Sequence, residues 1–450
     1  MISGFHYTPN QERDASEHRR VFRYHRTKQK EDKISLLSPT FRPHSKQPKP
    51  FILNDCFLYI VCKKQFKKHM DISIRTQQLN SLFSYDKKTD LTDSHLEIIP
   101  FRFTQTIGAS EINEFQKELT GTDFCPVTDN HIQENKTFTY TVFAPSGKEK
   151  RDKAIILLHG LNERTWEKYL TWAEYLAQNT GKPVILFPIA FHMNRTPSRW
   201  CNPRETLSWA NIRKSEINDL SNSTFANVAL SSRLSNNPLR FYASGRESIY
   251  NLWQLVLEIK EGKHPLFKED ASINLFAYSI GALLSQVLLL ANPEKMFSDT
   301  HLFMFCGGSI FSEMDGNARD IMDKEAFESI QKYYRHDFLE QRLLPTTFKN
   351  DFMEQAFKTM IREDVMQDHR ETFFQRACNR IRAISLKKDK VMPTLGVVKA
   401  LGNICNKILE EMDFPFPYSH QIPFPSRSQT DQTLVNQSFL NVFGKAAAFL

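Results

Sequence analysis

The chain contains no C-x-x-C pair. Its seven cysteines, Cys56, Cys62, Cys125, Cys201, Cys306, Cys378 and Cys405, are odd in number and scattered over 450 residues. That spacing implies neither a zinc ribbon nor a disulfide scaffold, and a reducing, cytoplasmic compartment is the simplest home. Long apolar runs are missing too. Residues 51–62 are apolar but too short for a membrane span, are broken by Asn54 and Asp55, and start too late for an ordinary signal peptide. A dinucleotide fingerprint, a P-loop and an H-E-x-x-H pair are all absent, so neither a cofactor nor a metal is expected. No internal repeat is visible.

The formal net charge of +8 suggests nucleic acid only until it is located. Residues 1–69 hold 15 Lys/Arg against 6 Asp/Glu, which leaves the remaining chain at −1. The basic segment lacks apolar periodicity and carries Pro9, Pro39, Pro43, Pro48 and Pro50. It reads as a disordered tail, or as an over-extended start ahead of a true beginning at Met70. No nucleic-acid partner is expected for the body of the protein.

What is present is 40% hydrophobic and 12% aromatic residues, enough for a sizeable core. Residues 137–144 alternate and predict a half-buried strand. Continuous apolar runs at 154–158, 183–187 and 301–306 predict buried parallel strands, and 381–386 and 407–412 also read as strands. Helices are predicted at 165–177, 245–261, 317–376, 394–401 and from 432 onward, whereas 189–240 reads as polar and irregular. Strands alternating with helices predict an α/β fold with a mostly parallel sheet covered on both faces.

The chain is organised around residues 273–281, Ile-Asn-Leu-Phe-Ala-Tyr-Ser-Ile-Gly. An apolar strand ends at Ser279, which has small residues two positions before (Ala277) and after (Gly281), and a helix-forming run follows. A serine on so sharp a strand-to-helix turn is sterically strained, so its neighbours at two residues' distance must be small. In a parallel sheet functional groups collect at strand carboxyl ends. There lie His159-Gly160 after the strand at 154–158, Asp389 after 381–386, and His420 after 407–412. Taken singly, Asp389 reads equally well as a turn aspartate and His420 as a loop histidine. Glu313 and Asp315 are competing acids, and Ser309 is a rival nucleophile without an elbow helix.

Together these residues resemble the α/β-hydrolase superfamily, in an uncharacterised bacterial branch, over roughly residues 137–450. The order Ser279, Asp389, His420 is similar to that superfamily's nucleophile, acid and base. The resemblance implies a Ser-His-Asp catalytic triad and an oxyanion hole from the backbone N–H groups of Leu161 and Ile280. It further implies substrate contacts from His159, Gly160, His192, Arg195 and Tyr278, and a helical cap insertion at about 313–378 within a 70–450 domain. The implied activity is cleavage of an ester, thioester or amide of a small molecule through an acyl-enzyme. The alternatives are a catalytically inactive binding protein on the same fold and an acyltransferase using the same triad. Ala277 in place of the usual glycine and the Pro-rich loop 414–425 depart from the superfamily pattern. The oligomeric state is not readable from the sequence.

Overall fold

A computed structural model describes residues 71–122, 124–340, 351–426 and 429–450. The basic segment 1–69 lies outside the described residues. Among the described residues nine strands make one sheet: β1 (Thr89–Leu91), β2 (Leu96–Thr104), β3 (Thr137–Pro145), β4 (Arg151–Leu158), β5 (Val184–Leu186), β6 (Phe267–Tyr278), β7 (Leu302–Phe305), β8 (Ile381–Leu386) and β9 (Leu409–Met412). Their order is β1-β2-β3-β5-β4-β6-β7-β8-β9. The first three strands pair antiparallel, and β3 meets β5 antiparallel. From β5 to β9 every pairing is parallel. This order, with an antiparallel strand ahead of a parallel run, is the α/β-hydrolase topology expected above, extended by β1 at the edge.

The central parallel strands β4 to β7 are apolar toward their carboxyl ends because both faces are buried there. Ala154, Ile156, Leu158, Leu275 and Ala277 face one core, and Ile155, Leu157, Phe276 and Tyr278 face the other. One face is covered by helices at Leu239–Lys260 and Ile280–Ala291, the other by helices at Glu167–Thr180 and Gln432–Phe449. Burying each large aliphatic or aromatic side chain is worth about 1.5–3 kcal/mol, so the two-sided core dominates stability. From β4 the chain steps outward to β5 and then returns to place β6 on the other side of β4. That reversal opens a crevice at the carboxyl ends of β4 and β6. Among the described residues no helix is long and apolar enough to cross a membrane.

The structure completes two sequence readings and corrects a third. Residues 71–121, left unassigned, supply a helix at Ile72–Leu82 and the antiparallel edge β1-β2, with all nine residues of β2 paired to β3. Residues 189–240 are not irregular. They hold helices at Pro203–Glu216 and Val228–Asn236, the first capped by Asn202 with Pro203 in its first turn. The helical block expected at 317–376 holds a series of short helices, including Lys324–Lys332, Phe352–Thr359 and Gln367–Arg376. Asp323 and Asp351 each start a new helix by accepting an N–H of the first turn, and Met366 (φ 49°) breaks the chain before the third. The segments after β5 and after β7 are tied together. Arg213 pairs with buried Asp323 at 2.7 Å, and Thr224 and Asn227 both donate to the carbonyl of Arg319.

Candidate active site

Ser279 is the residue between β6 and the helix Ile280–Ala291, with φ 55° and ψ −123°. For a non-glycine residue this conformation costs on the order of 1–3 kcal/mol and persists only where its surroundings hold it. The surroundings do so through glycines. A Cβ on Gly281 would lie 2.8 Å from the carbonyl oxygens of Leu158 and His159, and one on Gly307 would lie 2.7 Å from the carbonyl oxygen of Ser279. Gly307, at the end of β7, was not singled out in the sequence. Ala277 is fully buried in β6 and fills the position where glycine is usual.

The Ser279 hydroxyl lies 2.7 Å from His420 Nε2, and His420 Nδ1 lies 2.7 Å from Asp389 Oδ2. An ionised carboxylate only accepts, so Nδ1 carries the proton and Nε2 is left to accept from the serine. The second Asp389 oxygen accepts the N–H groups of Val391 and Met392, each at 2.9 Å. All three side chains are nearly sequestered, at 2% exposure for Ser279, 4% for Asp389 and 5% for His420. The competing acids are elsewhere. Glu313 pairs with Lys399 at 2.8 Å, and Asp315 accepts the N–H of Asn317. Ser309 donates to its neighbour's carbonyl, that of Ile310.

His420 sits in the Pro/aromatic loop after β9. The Tyr278 hydroxyl donates to the His420 carbonyl, and the two rings stack at 5.4 Å. Lys168 Nζ donates to the next carbonyl, that of Gln421, at 3.0 Å. Phe414, Phe424, Phe439 and Phe443 anchor the loop to the core in successive ring contacts. Tyr278 therefore positions the histidine, a role that its place beside the serine in sequence did not disclose.

The loop after β4 brings Gly160 and Leu161 against the serine. A Cβ on Gly160 would lie 3.3 Å from Ser279 Cβ. The Gly160 N–H is spent on the Tyr169 hydroxyl at 3.0 Å, whose own proton goes to Glu163. The Leu161 N–H has no acceptor among the described residues. The Ile280 N–H is in the first helical turn, where no intrahelical acceptor exists. Gly160, Leu161, Tyr278, Ser279 and His420 line one open cleft of about 550 Å³.

Three residues expected at the substrate lie behind the site instead. His159 is fully buried; its Nδ1–H donates to the Gly160 carbonyl at 2.8 Å and its Nε2 accepts the Ile189 N–H at 3.0 Å. It fastens the Gly160-Leu161 loop to the end of β5. Arg195 is fully buried and spends its guanidinium on Asn135, Asn251, Glu247 and the Pro188 carbonyl. His192 donates through Nδ1 to the Ala190 carbonyl at 2.8 Å. A loop position after a strand does not reveal such inward rotation, because the partners come from residues far apart in sequence.

Burial, reinforced by His192, holds His159 well below the usual imidazole range, and burial pushes His192 down to about 4. A depressed histidine stays neutral when folded but charges when unfolded, so its effect is absent at neutral pH and grows as pH falls below about 6.5. The Tm is therefore expected to drop between pH 6.5 and 4, with His192 alone contributing up to about 3 kcal/mol at the acid end. Calorimetry of wild type and His192→Asn checks this. The variant, which keeps a donor for Ala190, should show a shallower acid decline, and an identical decline would remove His192 as a contributor.

Residues 53–450 match the Family of unknown function (DUF6051), a match that begins upstream of Met70. No curated protein matches the sequence. Among solved structures, the chain is similar to a hyperthermophilic esterase from Pyrobaculum calidifontis at 9% identity and a TM-score of 0.40, covering 84% of this chain and 93% of that one. It is similar to the esterase LipW from Mycobacterium marinum at 10% identity and a TM-score of 0.40, covering 84% and 87%. A putative dipeptidyl aminopeptidase IV from Bacteroides ovatus gives 11% identity and a TM-score of 0.38, over 77% of this chain and 35% of that one. Strand order, strand direction and the elbow carry the fold assignment, not these overlays.

Proposed function

Because the chain belongs to the family of unknown function DUF6051, its activity has to be argued from its own site, and we propose that it is a serine hydrolase acting on carboxylic esters. The single observation that carries this reading is the continuous relay from Ser279 through His420 to Asp389, both links at 2.7 Å, at the edge of an open cleft. In the proposed reaction, Ser279 Oγ attacks the ester carbonyl carbon while His420 Nε2 takes its proton. The tetrahedral intermediate collapses as His420 returns that proton to the departing alcohol, leaving acyl-Ser279. Water then adds to the acyl carbon with His420 again taking a proton, and collapse releases the carboxylic acid and free serine. Asp389 holds the imidazole in the tautomer that leaves Nε2 basic and stabilises its charged form.

The Leu161 and Ile280 N–H groups, both without acceptors among the described residues, are the proposed oxyanion donors. Removing one such donor typically costs about 10²–10³-fold in rate. Tyr278 and Lys168 act through the His420 loop and are positioning residues. The segments after β5 and β7, joined at Asp323 and Arg319, act as a cap in this reading.

The test is covalent labelling. A fluorophosphonate probe is expected to modify wild type at Ser279 and to leave Ser279→Ala unlabelled. Equal labelling of both proteins, or modification of another serine, would refute the assignment.

A further inference from the structure

Two cavities of opposite character meet at Ser279. The open cleft is lined by Ser279 and His420. A second, much smaller cavity of about 30 Å³ is lined by Ser279, Leu161 and Ile280, but not by His420. Its other walls are mostly apolar, among them the buried Phe311, Ile321, Met322 and Met392. The one wall amide, Gln331, gives its nitrogen to the carbonyls of Phe311 and Met314, and its buried Oε1 has no partner among the described residues.

Resting on the serine-hydrolase reading above, we infer that the substrate is an ester of a two- to four-carbon acid with a bulky, uncharged, hydroxyl-rich alcohol such as a carbohydrate. The assignment of sides follows from proton transfer. His420 must protonate the leaving alcohol, so the alcohol lies in the cleft that His420 lines. The acyl carbon chain points the other way, into the cavity beside the two oxyanion donors. A single water needs about 10–15 Å³ of such space, so this cavity admits roughly two or three heavy atoms beyond the carbonyl carbon. The cleft is more than ten times larger and is rimmed by amides, hydroxyls and acids, including Gln77, Asn162, Thr165 and Gln421.

Charge in the cleft disfavours an anionic alcohol. Glu163 and Lys168 pair with each other, and Arg164 donates to the carbonyls of Phe225 and Ala226. Glu167 and Asp320 remain as exposed carboxylates without an ion pair among the described residues. Carboxylates repel an acidic leaving group and accept from hydroxyl donors.

Phe241 limits the acyl side. It lines both the small cavity and a second apolar one of about 50 Å³ bounded by Ile249, Leu283 and Met353, and Leu161 and Ile280 are also common to the two. Truncating Phe241 joins the two spaces.

The experiment is a chain-length series of p-nitrophenyl esters from acetate to decanoate, run on unlabelled protein whose active-site concentration is fixed by titrating Ser279 in a parallel aliquot with a small fluorophosphonate. Wild type is expected to peak in kcat/KM at two to four carbons and to fall at least tenfold by octanoate. Phe241→Ala should raise the octanoate-to-acetate ratio at least tenfold, with Phe241→Leu intermediate and available if the alanine variant does not fold. With leaving groups of like basicity, a 6-O-acetyl hexoside should exceed hexyl acetate at least tenfold. Enzyme that labels at Ser279 in one aliquot but, unlabelled, prefers octanoate or hexyl acetate, or turns over no short-chain ester, overturns this inference and leaves the nucleophile standing. Failure of Ser279 to label removes the serine-hydrolase reading itself, and this inference with it.

Discussion

Ser279→Ala is expected to reduce turnover of a short-chain activated ester by about 10⁶-fold, the loss seen when an acyl-enzyme nucleophile is deleted. Its stability should barely change, with Tm within a degree or two of wild type, because the hydroxyl makes one hydrogen bond and the Cβ stays in place. A companion variant separates chemistry from backbone strain. Ser279 has φ 55° and ψ −123°, a conformation that glycine adopts far more readily than any residue with a Cβ. Ser279→Gly should therefore be equally inactive yet melt above Ser279→Ala, since relief of strain outweighs the greater flexibility of the unfolded glycine chain. Kinetics and calorimetry on the three proteins decide both points. Turnover retained in Ser279→Ala would end the triad proposal, and a lower Tm for glycine would mean that the elbow is not strained.

Asp389→Asn is expected to leave the fold intact and lower kcat by up to about 10⁴-fold. The size follows from what the carboxylate does at 2.7 Å from His420 Nδ1. An amide can present its NH2 to the ring, which favours the tautomer with the proton on Nε2, where it cannot accept from Ser279. It also carries no charge to offset the imidazolium formed during attack. The amide oxygen can still accept from the N–H groups of Val391 and Met392, so the turn at 389–392 should survive. Glu313→Gln loses an ion pair with Lys399, and Asp315→Asn keeps an acceptor for Asn317; neither should change kcat by more than about twofold. The check is kcat on one activated ester for all three variants at neutral pH, beside near-native circular dichroism. A silent Asp389→Asn with a crippled Glu313→Gln would move the acid to the segment after β7.

The sequence by itself determined the parallel core of this protein and the strand that ends at Ser279. Runs such as 154–158 and 302–305 are apolar at every position, and only burial on both faces of a sheet accounts for that. The small residues at 277 and 281 were legible because the serine turn leaves no room for side chains there. Glu313, Asp315 and Asp389 could not be ranked from the sequence, since a carboxylate after a strand serves equally well as a cap, an ion-pair partner or a triad acid. The roles of His159, Arg195 and Tyr278 were likewise hidden: each sits at a strand end in sequence, yet their hydrogen-bond partners lie 1 to 142 residues away, and which side of the crevice they face depends on that packing. The antiparallel strands at 89–104 escaped reading because β1 is only three residues long and β2 does not alternate, with Ile98 and Ile99 adjacent and Pro100 within it. Local sequence fixes what a segment can bury. Which distant groups meet, and with what charge and at what distance, was decided only when the sheet reversed direction between β5 and β6 and set the ends of β4, β6, β8 and β9 side by side.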